Sequence, residues 1–329
     1  MHALTPVEPA APGPPRVYDV FNGDADGLCA LVQLRSVAPA ESILVTGLKR
    51  DIELLAGVQA GAGDVVTVLD ISLARNRDDL QRLLADGATV RYFDHHFAGD
   101  IPDHPGLQAF IDTAPDVCTS VLVDRYLNGT RRPWAVVAAF GDGLFASATA
   151  LSLATDLSAT DLVALRDLGQ AINHNAYGDS LSDVLIAPSQ LYRVMSRYAD
   201  PRQMLNDEPL VTELLARCRD DLDRAQALEP YRLMRRATVY LLSDDSWGRR
   251  VMGSFANLVA ARDPARATVV AIVDGAGHYR VSVRAGQASS CGADQLCREF
   301  GGNGRSRAAG IDRLPADVWP AFLQRIEHW

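Results

Sequence analysis

The stretch Val90-Arg91-Tyr92-Phe93-Asp94-His95-His96-Phe97 decides how this chain is read. An apolar, aromatic run reads as a buried strand, and it stops abruptly on Asp-His-His. Packing alone does not explain that ending. Asp is almost never fully buried unless paired, and His is only intermediate. A single His after a strand is ordinarily structural. A carboxylate beside two imidazoles is a donor set suited to divalent transition metals, and clustered ligands of this kind mark sites.

Three other apolar runs read as strands that also stop on acid. Val17-Tyr18-Asp19-Val20-Phe21 runs into Asn22-Gly23-Asp24-Ala25-Asp26-Gly27. Val65 to Leu69 ends on Asp70, and Trp134 to Phe140 leads into Gly141-Asp142-Gly143. Open α/β sheets bind ligands outside the carboxyl ends of their strands. Asp24, Asp26, Asp70, Asp94, His95, His96 and Asp142 are therefore expected at one crevice. Carboxylates so close repel unless cations lie between them. A rival reading puts Asn22, Asp24, Asp26, Gly27 and Gln33 on an EF-hand loop. It fails because Gln33 cannot supply the bidentate carboxylate of the last position and a β-rich run precedes the loop.

In this order, Asp24-Ala25-Asp26-Gly27, lone Asp70, Asp94-His95-His96 and Gly-flanked Asp142 resemble the four motifs of the DHH phosphoesterase superfamily. Val281 to Arg284, then Phe300-Gly301-Gly302-Asn303-Gly304-Arg305-Ser306-Arg307-Ala308-Ala309-Gly310, resembles the signature of the DHH-associated C-terminal domain. Asp-His-His alone is a weak signal; five motifs in sequence are a strong one. The resemblance implies that Asp24 binds one metal and Asp26 another, with Asp70 bridging and His95 and Asp142 completing the second site. It implies that Asp94, His95 and His96 act in catalysis, Asp94 and His96 by orienting ligands or touching phosphate. It also implies that Arg284, Gly301, Gly302, Asn303, Arg305 and Arg307 hold the non-scissile end of the substrate. Two departures matter. Val20 stands where many members carry a metal-binding His, and the C-terminal loop has no His before its small residues.

Composition bounds the rest. The chain has 329 residues, 48% of them hydrophobic, enough for about two domains. Its net charge of -9 supplies no general attraction for nucleic acid, so a polyanion must be held by local cations. Five cysteines without zinc-finger spacing read as reduced thiols of a cytoplasmic protein. No run approaches the ~18 apolar residues of a membrane helix, so no membrane partner is expected.

Short apolar strands alternate with amphipathic helices from Val17 onward, which argues a parallel sheet covered on both faces. The expected fold is α/β. Residues 1–15 form a disordered tail, 16–190 a parallel-sheet catalytic domain with helices on both faces, 191–230 a helical linker, and 231–329 a smaller mixed α/β substrate-binding domain. Phe145 to Leu153 reads as core. His174, polar between helices, reads as a packing residue rather than a ligand.

Mixed carboxylate and imidazole donors favour Mn²⁺, one or two ions, with Mg²⁺ or Co²⁺ as substitutes. The function expected is a metal-dependent phosphodiesterase or exonuclease on short oligonucleotides or small nucleotides, with a homodimer left open as the assembly. A phosphomonoesterase or pyrophosphatase using the same metals is the first alternative. A nucleotide-binding regulatory protein with reduced catalysis is the second.

Overall fold

The computed structural model describes residues 14–287 and 289–329. The tail expected over residues 1–15 thus lies, up to residue 13, outside the described residues. The N-terminal half carries β1 (Val17–Asn22), α1 (Ala25–Val37), β2 (Ile43–Gly47), β3 (Val65–Leu69), α2 (Arg77–Ala85), β4 (Thr89–Asp94) and β5 (Leu107–Ile111). Helices follow: α3 (Thr119–Tyr126), α4 (Arg132–Gly141), α5 (Phe145–Ser152), α6 (Ala159–Ala176), α7 (Pro188–Met195), α8 (Pro201–Asp207) and α9 (Pro209–Gln226). The C-terminal part contains β6 (Arg232–Leu233), β7 (Ala237–Leu242), α10 (Ser246–Arg262), β8 (Ala267–Val273), β9 (His278–Arg284), α11 (Ala293–Arg298), β10 (Asn303–Arg305), β11 (Ala308–Pro315) and α12 (Trp319–Glu327).

The first sheet is five-stranded, in the order β2-β1-β3-β4-β5, and every pairing is parallel. Strand alternation splits its side chains between two apolar layers. Tyr18, Val20, Val66, Val68, Val90 and Tyr92 pack toward α2 through Leu80, Leu83 and Leu84. Phe21, Leu69 and Phe93 face the opposite layer, built on α1, α3, α4 and α6. The chain leaves β1 to one side for β2 and returns to the other side for β3. The carboxyl ends of these strands therefore flank a topological switch point, where such sheets open a crevice.

The run from Trp134 to Phe140, expected as a strand, is helical as α4. Pro133 suits the first helical turn. All seven residues from Trp134 to Phe140 are buried. A helix apolar on every side has no polar stripe and cannot be told from a buried strand by periodicity. Residues 145–153 are likewise not core: Phe145 is 48% and Leu153 84% exposed, while Ala148 and Ser152 are buried. Residues 191–214, read as the start of a connector, contribute Leu191, Met195, Met204 and Leu214 to the same core as α1 and α4.

The second sheet is six-stranded, β10-β11-β9-β8-β7-β6. β7 and β8 are parallel, and the remaining pairs are antiparallel. Its two faces are covered by α10 on one side and by α11 and α12 on the other. Among the described residues all five cysteines are free.

The two parts are fastened by a buried polar cluster around Asp221. His174 of α6 and Arg250 of α10 both reach Asp221 of α9, at 2.9 and 2.8 Å. All three side chains are almost fully buried. His174 is thus a packing residue. Burial pushes the Asp221 carboxyl up, but the bonds from His174 and Arg250 prevail and hold it below its ordinary value. Removing one partner of such a buried set leaves uncompensated charge, which costs about 3–5 kcal/mol. Asp221→Ala is accordingly expected to destabilise the protein by that amount, read as a lower denaturant midpoint. A loss within ~0.5 kcal/mol, typical of a surface change, would refute the role.

Candidate metal centre

The acidic side chains gather where the first sheet's strands end. Asp24 sits two residues beyond β1 and caps α1, its Oδ1 accepting the N–H of Asp26 and Gly27 at 3.0 and 3.1 Å. Gly23 before it permits this turn, because a Cβ there would lie 2.0 Å from the Gly47 carbonyl oxygen at the end of β2. Asp26, in the first turn of α1, accepts the N–H groups of Thr119 and Ser120, both at 2.7 Å. Its carboxylate therefore caps α3 while staying in the cluster. Asp70 follows β3 with φ +60°, a left-handed conformation that Asp adopts more readily than most residues. Thr119 Oγ1 donates to Asp70 Oδ1 at 3.2 Å.

His95 shows the clearest ligand geometry. Its Nδ1 lies 2.9 Å from the Val117 carbonyl oxygen. A carbonyl can only accept, so Nδ1 carries the proton and Nε2 keeps its lone pair. That Nε2 lies 3.5 Å from Asp70 Oδ1 and 3.9 Å from Asp142 Oδ2. Fixing the far nitrogen in this way is how proteins set the tautomer of a metal-binding imidazole. Asp94, fully buried, meets His96 Nδ1 through Oδ1 at 2.7 Å, while its Oδ2 is buried without a hydrogen-bond partner.

Two sets of side chains bring ligand atoms within 4.8 Å of one another: Asp70, His95 and His96, and Asp26, His95 and Asp142. Mutual repulsion raises the cost of their charge. Burial, then the carboxylates of Asp26, Asp24, Asp142 and Asp94, push Asp70 well above its ordinary value. Asp142 is pushed up to about 6, chiefly by burial, against the pull of Lys49. Burial disfavours the His96 imidazolium, yet the bond to Asp94 prevails and raises it. An anionic cluster, an orphaned carboxylate oxygen and an imidazole nitrogen held free all fit a divalent cation.

Asn22, Asp24, Asp70, His95, His96 and Asp142 line one cavity of about 870 Å³, and Arg305 lines it from the second domain. Arg305 projects from β10, so both domains contribute to the wall. The other residues expected to hold substrate are placed elsewhere. Arg284 donates to Asn257 Oδ1 at 2.6 Å and to Ser282 Oγ at 2.8 Å and does not line the cavity. Gly301, Asn303 and Arg307 are also absent from its lining. Gly302 serves its own strand neighbour: a Cβ there would lie 2.2 Å from the Gly310 carbonyl oxygen.

Lys49 is the functional candidate that the motifs did not reveal. Its ammonium bonds Asp24 Oδ2 and lies 3.3 Å from Asp142 Oδ1 and 3.4 Å from Asn173 Oδ1. Desolvation works against its charge, but Asp24, Tyr177 and Asp142 hold its pKa well above the usual lysine value. The same Lys49 contact, outweighing burial, lowers Asp24. The signal was present in the sequence, since Lys49 comes two residues after β2 and so occupies the same edge as the acids.

Comparison with known proteins places the fold. No protein-family model and no curated protein matches this sequence. Among solved structures, the exonuclease RecJ bound to manganese matches with TM-score 0.61 and 18% identity, over 95% of this chain and 89% of that one. RecJ from Thermus thermophilus in complex with Mn²⁺ matches with TM-score 0.60 and 18% identity, over 95% of this chain and 51% of that one. The pGpG-specific phosphodiesterase PggH from Vibrio cholerae matches with TM-score 0.57 and 15% identity, over 94% and 99%. The chain shares the two-domain fold of these solved structures.

The raised Asp142 gives a signed expectation. Between its ordinary value of 3.8 and about 6, the folded chain holds more protons than the unfolded one. Stability contributed by this group therefore falls as pH rises through that window. A bound cation needs the deprotonated form and reverses the trend. The gain in Tm on adding Mn²⁺ is expected to be larger near pH 7.5 than near pH 5, and an ion at 100 times its Kd adds about 2.7 kcal/mol of stability. Differential scanning calorimetry at the two pH values checks it, and an equal or larger gain in acid would contradict it.

Proposed function

We propose that this protein is a Mn²⁺-dependent phosphodiesterase that hydrolyses short oligonucleotides or small nucleotides at the cavity between its domains. The observation that carries the reading is the convergence of Asp24, Asp70, His95, His96 and Asp142 with Arg305 on one cavity. The likeness to RecJ and to a pGpG phosphodiesterase supports it through the fold. Asp70, His95 and Asp142, with Asp26 at their edge, are the residues assigned to hold the metal. Their mixed oxygen and nitrogen donors suit Mn²⁺, with Mg²⁺ or Co²⁺ as substitutes. When bound, a divalent cation there supplies Lewis-acid stabilisation of phosphoryl oxygens and makes a water molecule acidic enough to attack near neutral pH.

The chain's own groups have separable tasks. Asp94 fixes the His96 ring through Nδ1 and favours its protonated state. A protonated imidazole on the cavity wall can donate to a phosphate oxygen or give its proton to the leaving alkoxide. Val117, through its carbonyl, keeps the His95 lone pair directed at the cluster. Arg305 presents a forked donor matched to a phosphate, across the cavity on the other domain, where the non-scissile end of a short substrate would lie.

Incubation of the full chain with a 5′-labelled RNA dinucleotide and Mn²⁺ is expected to release nucleoside monophosphates, and EDTA to prevent it. Asp70→Asn is expected to lower kcat/KM by at least about 100-fold, the upper range seen when partners of a metal site are lost. Arg305→Ala is expected to raise KM by about 10-fold or more while kcat changes little, as loss of a hydrogen bond to a charged group predicts. Chromatography of the products checks all three. Orthophosphate from monoesters with no dinucleotide cleavage would overturn the reading, as would full activity of Asp70→Asn.

A further inference from the structure

We propose that the site is mononuclear, with the Lys49 ammonium occupying the position of a second cation. This deepens the reading above, on which only its catalytic meaning rests. Both oxygens of Asp24 are engaged, and Oδ2 is held by a cation. Its Oδ1 is committed to two backbone N–H groups of α1, and its Oδ2 to Lys49. Neither group of side chains able to share an ion includes Asp24. Both contain His95, whose single Nε2 lone pair can serve only one ion at a time.

Lys49 is held there by several independent contacts. Its backbone N–H donates to the Ala176 carbonyl at 3.2 Å, and its carbonyl accepts Asn22 Nδ2 at 3.2 Å. The ammonium lies 5.6 Å from the centre of the Tyr177 ring. Asn173, whose Oδ1 faces the ammonium, is itself pinned by donating to the Gly141 carbonyl at 2.8 Å. A lysine on a four-carbon stem is ordinarily mobile in solvent; this one is fixed at both ends.

Asp142 joins the two positions. Its Oδ1 lies 3.3 Å from the ammonium, and its Oδ2 lies 3.9 Å from His95 Nε2. It thus relates the Lys49 position to the His95 position as a bridging carboxylate would relate two metals. Val20 offers no ligand toward the first position, being fully buried in the apolar layer that faces α2. A single fixed positive charge can neutralise Asp24, and its three N–H donors are given to Asp24, Asp142 and Asn173. It cannot acidify water, a task that an ion held beside His95 would supply when bound.

The test is metal stoichiometry, which does not require turnover. The full chain, stripped with EDTA and desalted, is titrated with Mn²⁺ by calorimetry and followed by electron paramagnetic resonance. One equivalent with an uncoupled six-line spectrum is the expected result. Two equivalents with an exchange-coupled spectrum in the unmodified protein would overturn the proposal, and no variant is needed to see it. Lys49→Gln, with folding checked by circular dichroism, is expected to admit a second equivalent, whereas Lys49→Arg is expected to stay at one. A Lys49→Gln variant that folds and still binds one equivalent would show that the ammonium is not what excludes the second ion, and would also overturn it. A protein that binds one Mn²⁺ but cleaves no phosphodiester leaves this inference intact and removes the functional reading instead. A protein that cleaves with two coupled ions does the reverse.

Discussion

Repulsion among buried carboxylates is the constraint to which the rest of this structure answers. Asp24, Asp26, Asp70 and Asp94 are each no more than 3% exposed, at the carboxyl ends of adjacent strands or just beyond them. Such a cluster is tolerable only if its charge is compensated or partly protonated. The fold compensates three of the four locally. Asp24 caps one helix and meets Lys49, Asp26 caps another, and Asp94 meets His96. Asp70 has one hydroxyl and the His95 ring nearby but no fixed cation, and burial and the neighbouring carboxylates push its pKa up. The least compensated carboxylate therefore lies beside an imidazole whose Nε2 is left open, which is where a cation gains most.

The scaffold that permits this arrangement is tied across the domains by further polar contacts. Asp179 accepts from Arg50 at 2.6 Å and from Arg280 at 2.8 Å. Arg50 follows Lys49 in the chain, so the lysine stands next to an interdomain tie. Asp183 accepts from Ser246 and Arg249 of α10, both at 2.7 Å. Together with the Asp221 set, these contacts hold the second sheet where β10 can bring Arg305 to the cavity. They are polar and partly exposed in the Asp179 case, as contacts between domains of one chain commonly are.

Much of the site was legible because acid after a buried apolar run is hard to explain otherwise. Asp24, Asp70 and Asp94 each follow a parallel strand, and the structure brings them together at the switch point. Asp142 was found for a reason that was partly mistaken. It ends a helix rather than a strand, and it reaches the cluster because α4 packs against α1, with Gly141 close to Ala25. Lys49 carries no ligand signal in the sequence, because a lysine after a strand reads as solvated. The C-terminal loop illustrates the opposite error. Its glycines suggested close approach to phosphate, whereas Gly302 and Gly304 make room for the neighbouring strand β11 of their own hairpin. Sequence shows that a backbone must come close to something, but not to what.

Charge also bears on the length of a substrate in the proposed reaction. The chain as a whole carries -9, so its long-range field opposes a polyanion. Affinity for long nucleic acid comes mainly from many phosphate contacts that release counterions. The cavity wall offers only Lys49, Arg75 and Arg305 as fixed cations among the described residues, and Lys49 is already engaged by Asp24 and Asp142. Arg305 and Arg75 suffice for a phosphate or two beside a metal. They do not make a track. A long strand would meet unfavourable field on either side of the cavity without further contacts to offset it, whereas a dinucleotide would place its phosphate within the compensated region and extend little beyond it. In the proposed reaction, a small substrate is the one for which local cations would outweigh a net charge of -9.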